Sequence, residues 1–131
     1  MKVIINKMEG LEVNTQITVL DKAGEGGASH HYYVTAPQSA YTPAIPEGYQ
    51  RKDDFALIHF QEGPVQANGI NGCQVEDLLL ICIDRLTSFQ AGPYPCDENS
   101  KALALCQAAL SALNRRTADR AARGVEGRDK A

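Results

Sequence analysis

The sequence predicts an α+β fold, an N-terminal β-rich part followed by a helical hairpin. Three observations carry this. Short β-type runs separated by turn residues fill the first half. After residue 72 the apolar spacing changes to that of a helix. The break Gly92-Pro93-Tyr94-Pro95 then divides the helical stretch in two. Strand runs followed by helical runs are the α+β pattern.

Residues 3–5, 17–20 and 31–35 read as short strands, with the turn-rich Ala23-Gly24-Glu25-Gly26-Gly27 between the second and third. Pro37, Pro43 and Pro46 make residues 36–49 a loop or extended edge, because each proline fixes its own φ and restricts the residue before it. Residues 55–61 are apolar at every other position on both faces, which predicts a central strand. Asn68-Gly69 and Asn71-Gly72 are turn pairs.

Beyond them Val75, Leu78, Leu79, Cys82, Leu86 and Phe89 recur at helical spacing, and Leu80, Ile81 and Ile83 widen the apolar surface past one stripe. Such a helix needs cover on more than one side, from the second helix, the sheet or another subunit. The second helix starts near Asp97-Glu98-Asn99, whose acids complement a helix N-terminus. It presents Leu103, Cys106, Leu110, Leu113 and Thr117 on one face, and Gly124 with Val125 reads as its C-terminal cap. A short connection makes the two helices antiparallel. The organisation is therefore a β-rich part over 1–66, a hairpin over 67–127 and a loose tail over 128–131, within one compact domain.

The net charge of −3 hides an asymmetry: residues 1–100 carry 6 Lys/Arg and 13 Asp/Glu, and residues 101–131 carry 7 and 3. Local basic charge on an acidic body suits a small anionic ligand and argues against long nucleic acid. No apolar run approaches the ~20 residues of a membrane span, and the N-terminus lacks a signal-peptide layout, so a cytosolic protein is expected. Cys73, Cys82, Cys96 and Cys106 are too far apart for a zinc knuckle and read as reduced thiols, with Cys82 and Cys106 on apolar helix faces. His30 and His31 read as adjacent strand residues that point to opposite faces and cannot ligate one ion without distortion, so no metal site is expected of them, nor any cofactor. No P-loop, dinucleotide fingerprint or nucleophile elbow is present. Asp97 and Glu98 could form a catalytic carboxylate pair or simply complement the helix dipole.

The C-terminal arginines are more informative. Of Arg115, Arg116, Arg120 and Arg123, Arg116 and Arg120 share one helix face and Arg123 continues it. Two guanidinium forks one turn apart can grip two phosphates, although cations near a helix C-terminus are favoured and solvated in any case. At the other end of the hairpin Phe89 can stack on a base or fill a core, and Asn99 can read a base edge or cap the helix.

The ordered pattern Phe60-Gln61-Glu62-Gly63-Pro64-Val65, Asn71-Gly72, Glu76-Asp77-Leu78-Leu79, Ile83-Asp84-Arg85-Leu86, Phe89-Gln90, Gly92-Pro93-Tyr94, Cys96, Glu98-Asn99, then Arg115-Arg116-Thr117-Ala118-Asp119-Arg120 and Arg123-Gly124-Val125-Glu126-Gly127 resembles the first Thoeris anti-defence sponge family of phages. Its hairpin is shared with an anti-CBASS cyclic-nucleotide sponge. Residues 60–127 carry the resemblance. It implies an N-terminal antiparallel sheet, a C-terminal helix pair, and oligomers built from dimers, often hexamers. It implies tight, non-destructive binding of glycocyclic ADP-ribose, with cyclic oligonucleotides at a separate site in some members. It assigns ligand contact to Phe89, Asn99, Arg116 and Arg120. The expected function is sequestration of a cyclic nucleotide immune signal. The alternatives are a phosphodiesterase that cleaves the same signal and a small DNA-binding regulator.

Overall fold

Residues 2–6, 8–10, 15–35 and 54–124 are described by the computed structural model. β1 (Lys2–Ile4), β2 (Gln16–Val19), β3 (His31–Thr35) and β4 (Asp54–His59) follow one another both in sequence and in space, as a four-stranded antiparallel sheet. Lys2 lies opposite Val19, Ile17 opposite Val34, and Tyr32 opposite Ile58. The β3–β4 register shifts between Val34 and Thr35. The β-branched and aromatic content of these runs suits a pleated, half-covered surface. Among the described residues Val19 is the one buried apolar side chain of this sheet.

The strand over 55–61 forms where expected, but as β4 it is the last strand of the order and not a central one. Phe55 and Leu57 stay about half exposed. An apolar run reports that both faces suit burial; which strand ends up at the edge is decided by hydrogen-bond pairing, which the run does not encode. The proline-rich residues 36–49 lie outside the described residues.

The turn between β2 and β3 is organised by Asp21. Its Oδ1 accepts the backbone N–H of His30 (3.1 Å) and of His31 (3.0 Å), and Oδ2 shares the His30 N–H at 3.0 Å. Ser29 Oγ donates to the Asp21 carbonyl. A 3-10 turn, Glu25–Gly27, crosses the glycine-rich stretch with Gly26 and Gly27 at positive φ, as a chain reversal of this kind requires. Partial burial works against ionisation of Asp21, but the His31 and His30 backbone donors and the His31 ring outweigh it, so its pKa lies below the ordinary value.

The chain divides into two compact units, Met1–Glu62 and Gly63–Ala131. In the second, α1 (Val65–Asn68) is a single turn closed by Gly69, and it precedes α2 (Val75–Ala91) and α3 (Asp97–Ala122). Gly63 has φ +74, and a Cβ there would collide with the Asn68 amide, so this turn requires glycine. The Asp77 carboxylate accepts the Gln74 backbone N–H at 2.8 Å and so starts α2. Gly124, at φ +72, ends α3 as expected, its N–H donating to the Ala121 carbonyl; Val125 lies outside the described residues.

Helices α2 and α3 pack on each other, joined by residues 92–96. The half-buried stripe of α3 runs through Asn99, Ala102, Leu103, Cys106, Leu110, Leu113, Thr117 and Arg120. That of α2 runs through Leu79, Ile83, Leu86 and Gln90, so Ile83 takes an inner position while Cys82 is exposed. The expected apolar-face place of Cys82 is therefore corrected: two helices give cover on one side only, and 82 lies on the other. No residue of either helix is buried in the single chain.

Candidate functional site

The hairpin turn places Phe89 in the last turn of α2 and Asn99 in the first turn of α3. The backbone between them is tied at both ends. Gly92 N–H donates to the Phe89 carbonyl at 3.2 Å, and Cys96 N–H donates to Gln90 Oε1 at 3.0 Å. The cap of α3 is Cys96, whose Sγ accepts the Asn99 backbone N–H at 3.4 Å. That leaves the Asn99 side chain outside the cap, half-buried on the stripe of α3.

Phe89 is 43% exposed, so the hairpin does not absorb its ring. Arg85, one turn earlier on α2, lies with its guanidinium carbon 4.9 Å from the Phe89 ring centroid. One face of the ring therefore carries a cation, which makes the pair suited to an electron-rich base or a phosphate beside a base. Sequence reasoning did not single out Arg85; the four-residue spacing to Phe89 on a helix was the available signal.

Arg116 and Arg120 stand at the other end of α3, one turn apart; Arg116 is exposed, while Arg120 is half-buried and continues the inner stripe. Arg123 follows at the C-terminal cap. α3 has 26 residues and α2 has 17. Because the loop ties their other ends together, the excess length lies at the arginine end. Asn99 and Arg116 are 17 residues apart on one unbroken helix, which is ~25 Å at 1.5 Å per residue. Within one chain the structure thus places Phe89 and Asn99 at the turn end of the hairpin and Arg116 and Arg120 toward the far end of α3, and keeps the two sets apart.

A family model described as the Acb2/Tad1 hairpin domain matches residues 52–118. The match spans β4, the helical hairpin, Phe89, Asn99 and Arg116, and stops just short of Arg120. A relative from Bacillus phage SBSphiJ7, Thoeris anti-defense 1, is 37% identical over 128 residues, covering 87% of this chain and 89% of the relative. The chain belongs to the Thoeris anti-defence 1 family. The likeness to that phage protein extends well beyond residues 60–127, so the sheet unit belongs to the relationship along with the Acb2/Tad1 hairpin. No helix among the described residues is long and apolar enough to cross a membrane.

Proposed function

We propose that this Thoeris anti-defence 1 family member is a phage protein that binds and sequesters a cyclic nucleotide immune signal, glycocyclic ADP-ribose, in the cytoplasm of the infected bacterium, without degrading it. The observation that carries this reading is the separation of the two residue pairs. Phe89 and Asn99 suit a base; Arg116 and Arg120 suit a pyrophosphate. About 25 Å of helix between Asn99 and Arg116 exceeds a ligand of that size, even with an extended arginine.

Two copies resolve the separation. If antiparallel hairpins meet across a two-fold axis, the turn of one lies beside the arginine end of the other, and each dimer holds two equivalent sites. The open apolar surface supports a second copy. Ile81 is 64% exposed and Leu105 61%, and Val75 and Leu80 are exposed as well; apolar exposure on this scale is common at subunit interfaces and costly in an isolated chain. Dimers assembled further into hexamers are expected, with a separate site for a cyclic oligonucleotide.

A sponge acts through affinity and copy number. A nanomolar Kd corresponds to about −12 kcal/mol, within reach of a ligand with two phosphates and stackable faces. Calorimetric titration of the chain with glycocyclic ADP-ribose tests the reading: saturation at one ligand per chain is expected, and absence of saturable binding at micromolar ligand contradicts it.

A further inference from the structure

His30 is 6% exposed, and its Nδ1 is a buried polar atom with no hydrogen-bond partner. A buried orphan of this kind is costly unless something occupies the space it faces. Nδ1 faces two carboxylates, at 3.9 Å from Asp21 Oδ2 and 3.7 Å from Glu62 Oε1. The neighbouring His31 Nδ1 is 3.3 Å from the same Asp21 Oδ2. Adjacent residues of one strand would point apart, but β3 begins at His31, and His30 lies in the turn before it. Both imidazoles therefore approach a single carboxylate oxygen.

Asp21, His31 and Glu62 each offer a ligand atom, and these atoms lie within 4.8 Å of one another. We propose that Asp21, His31 and Glu62, completed by His30 Nδ1, form a binding site for a divalent transition-metal ion of the zinc class. Two ligands held ~2.0–2.1 Å from a tetrahedral ion are roughly 3.3 Å apart. The observed separation of 3.3 Å matches that, and those of 3.7 and 3.9 Å are slightly wider, so a small inward movement would close the shell. At 3.7 and 3.9 Å the contacts of His30 are too long for hydrogen bonds, yet they suit groups that share one ion. Mixed imidazole and carboxylate donors suit zinc, cobalt or nickel over magnesium or calcium.

The surroundings fix the ligands. Asp21 is oriented by the backbone N–H groups of His30 and His31. His31 meets His59 of β4 edge-on at 4.5 Å between ring centroids. Oriented ligands raise metal affinity. Glu62 is exposed, which gives an ion an entry path. Bound there, the ion ties the turn after β2, the start of β3 and the segment after β4 into one unit. The sheet gains a fastening that Val19, the single buried apolar side chain among the described residues, does not supply.

The test uses the full chain with any affinity tag removed, titrated with Co2+ and with Zn2+ alone. One ion per chain is expected, with a visible Co2+ ligand-field spectrum, no thiolate charge-transfer band and a higher Tm in Zn2+. His31→Gln and Glu62→Gln, checked for native circular dichroism, should each weaken binding roughly tenfold or more while leaving binding of glycocyclic ADP-ribose unchanged. Absence of saturable binding by the wild-type chain overturns the site. A thiolate band in the wild-type Co2+ spectrum also overturns it, because the ion would then sit on the cysteines. So does unchanged affinity in both variants. The wild-type spectrum decides the matter even if a variant fails to fold.

Discussion

The guanidinium of Arg85 lies over the ring of Phe89, 4.9 Å from its centroid. Both residues belong to the outer side of α2, where Phe89 is only partly covered. The cation covers one face of the ring, and under the proposed function the ring stacks on a base of the signal. Phe89→Ala is expected to weaken signal binding by about 1–3 kcal/mol through lost stacking, with little change in Tm. Arg85→Ala should cost less, about 0.5–1 kcal/mol, the magnitude of an exposed cation–π contact. Calorimetry on both variants checks this. Full affinity in Phe89→Ala with a lowered Tm would return the ring to a packing role.

Removing either arginine of the α3 pair should act on binding. Arg116→Ala or Arg120→Ala is expected to cost about 2–5 kcal/mol of binding free energy, as truncation of a paired charge does, enough to bring a nanomolar ligand toward micromolar. Arg116 is exposed, so Tm should hold; Arg120 is half-buried, so a small drop in Tm is tolerable there. Normal binding by either variant would mean that the phosphate grip is elsewhere.

The open apolar surface of the hairpin predicts its own test. Ile81→Glu puts a charge on a side chain that is 64% exposed in the single chain, so the folded chain should survive it, while an interface would not. Light scattering is expected to show a smaller assembly and calorimetry a loss of signal binding. An unchanged mass would put the subunit contact on another surface.

Much of the hairpin was legible in the sequence, because apolar spacing, the Gly92-Pro93 break and Gly124 all act locally. The site residues could be nominated but not assembled, since the distance from Asn99 to Arg116 is set by an unbroken helix. What escaped reading depends on pairing between distant segments. Sheet order put β4 at the edge. The α3 cap is a local exception: Cys96, three residues before Asn99, takes the place for which Asn99 is the better residue type. The cluster of Asp21, His30, His31 and Glu62 exists only because antiparallel pairing brings the start of β3 beside the end of β4.

Subunit mixing tests the shared site. Asn99→Ala and Arg116→Ala are each expected to bind poorly alone. After exchange, a mixed dimer contains one intact site and one doubly damaged site, so part of the binding capacity should return. No recovery, with exchange demonstrated by differently labelled chains, would confine the site to one subunit.

Sequestration without degradation is the central claim, and recovery of the ligand tests it most directly. The chain is incubated with glycocyclic ADP-ribose until free signal disappears, then denatured by heat, and the supernatant is resolved by chromatography. The account predicts that intact glycocyclic ADP-ribose returns in an amount matching what was bound, however long the incubation. Recovery of a cleaved product that increases with time would contradict it and make the protein an enzyme.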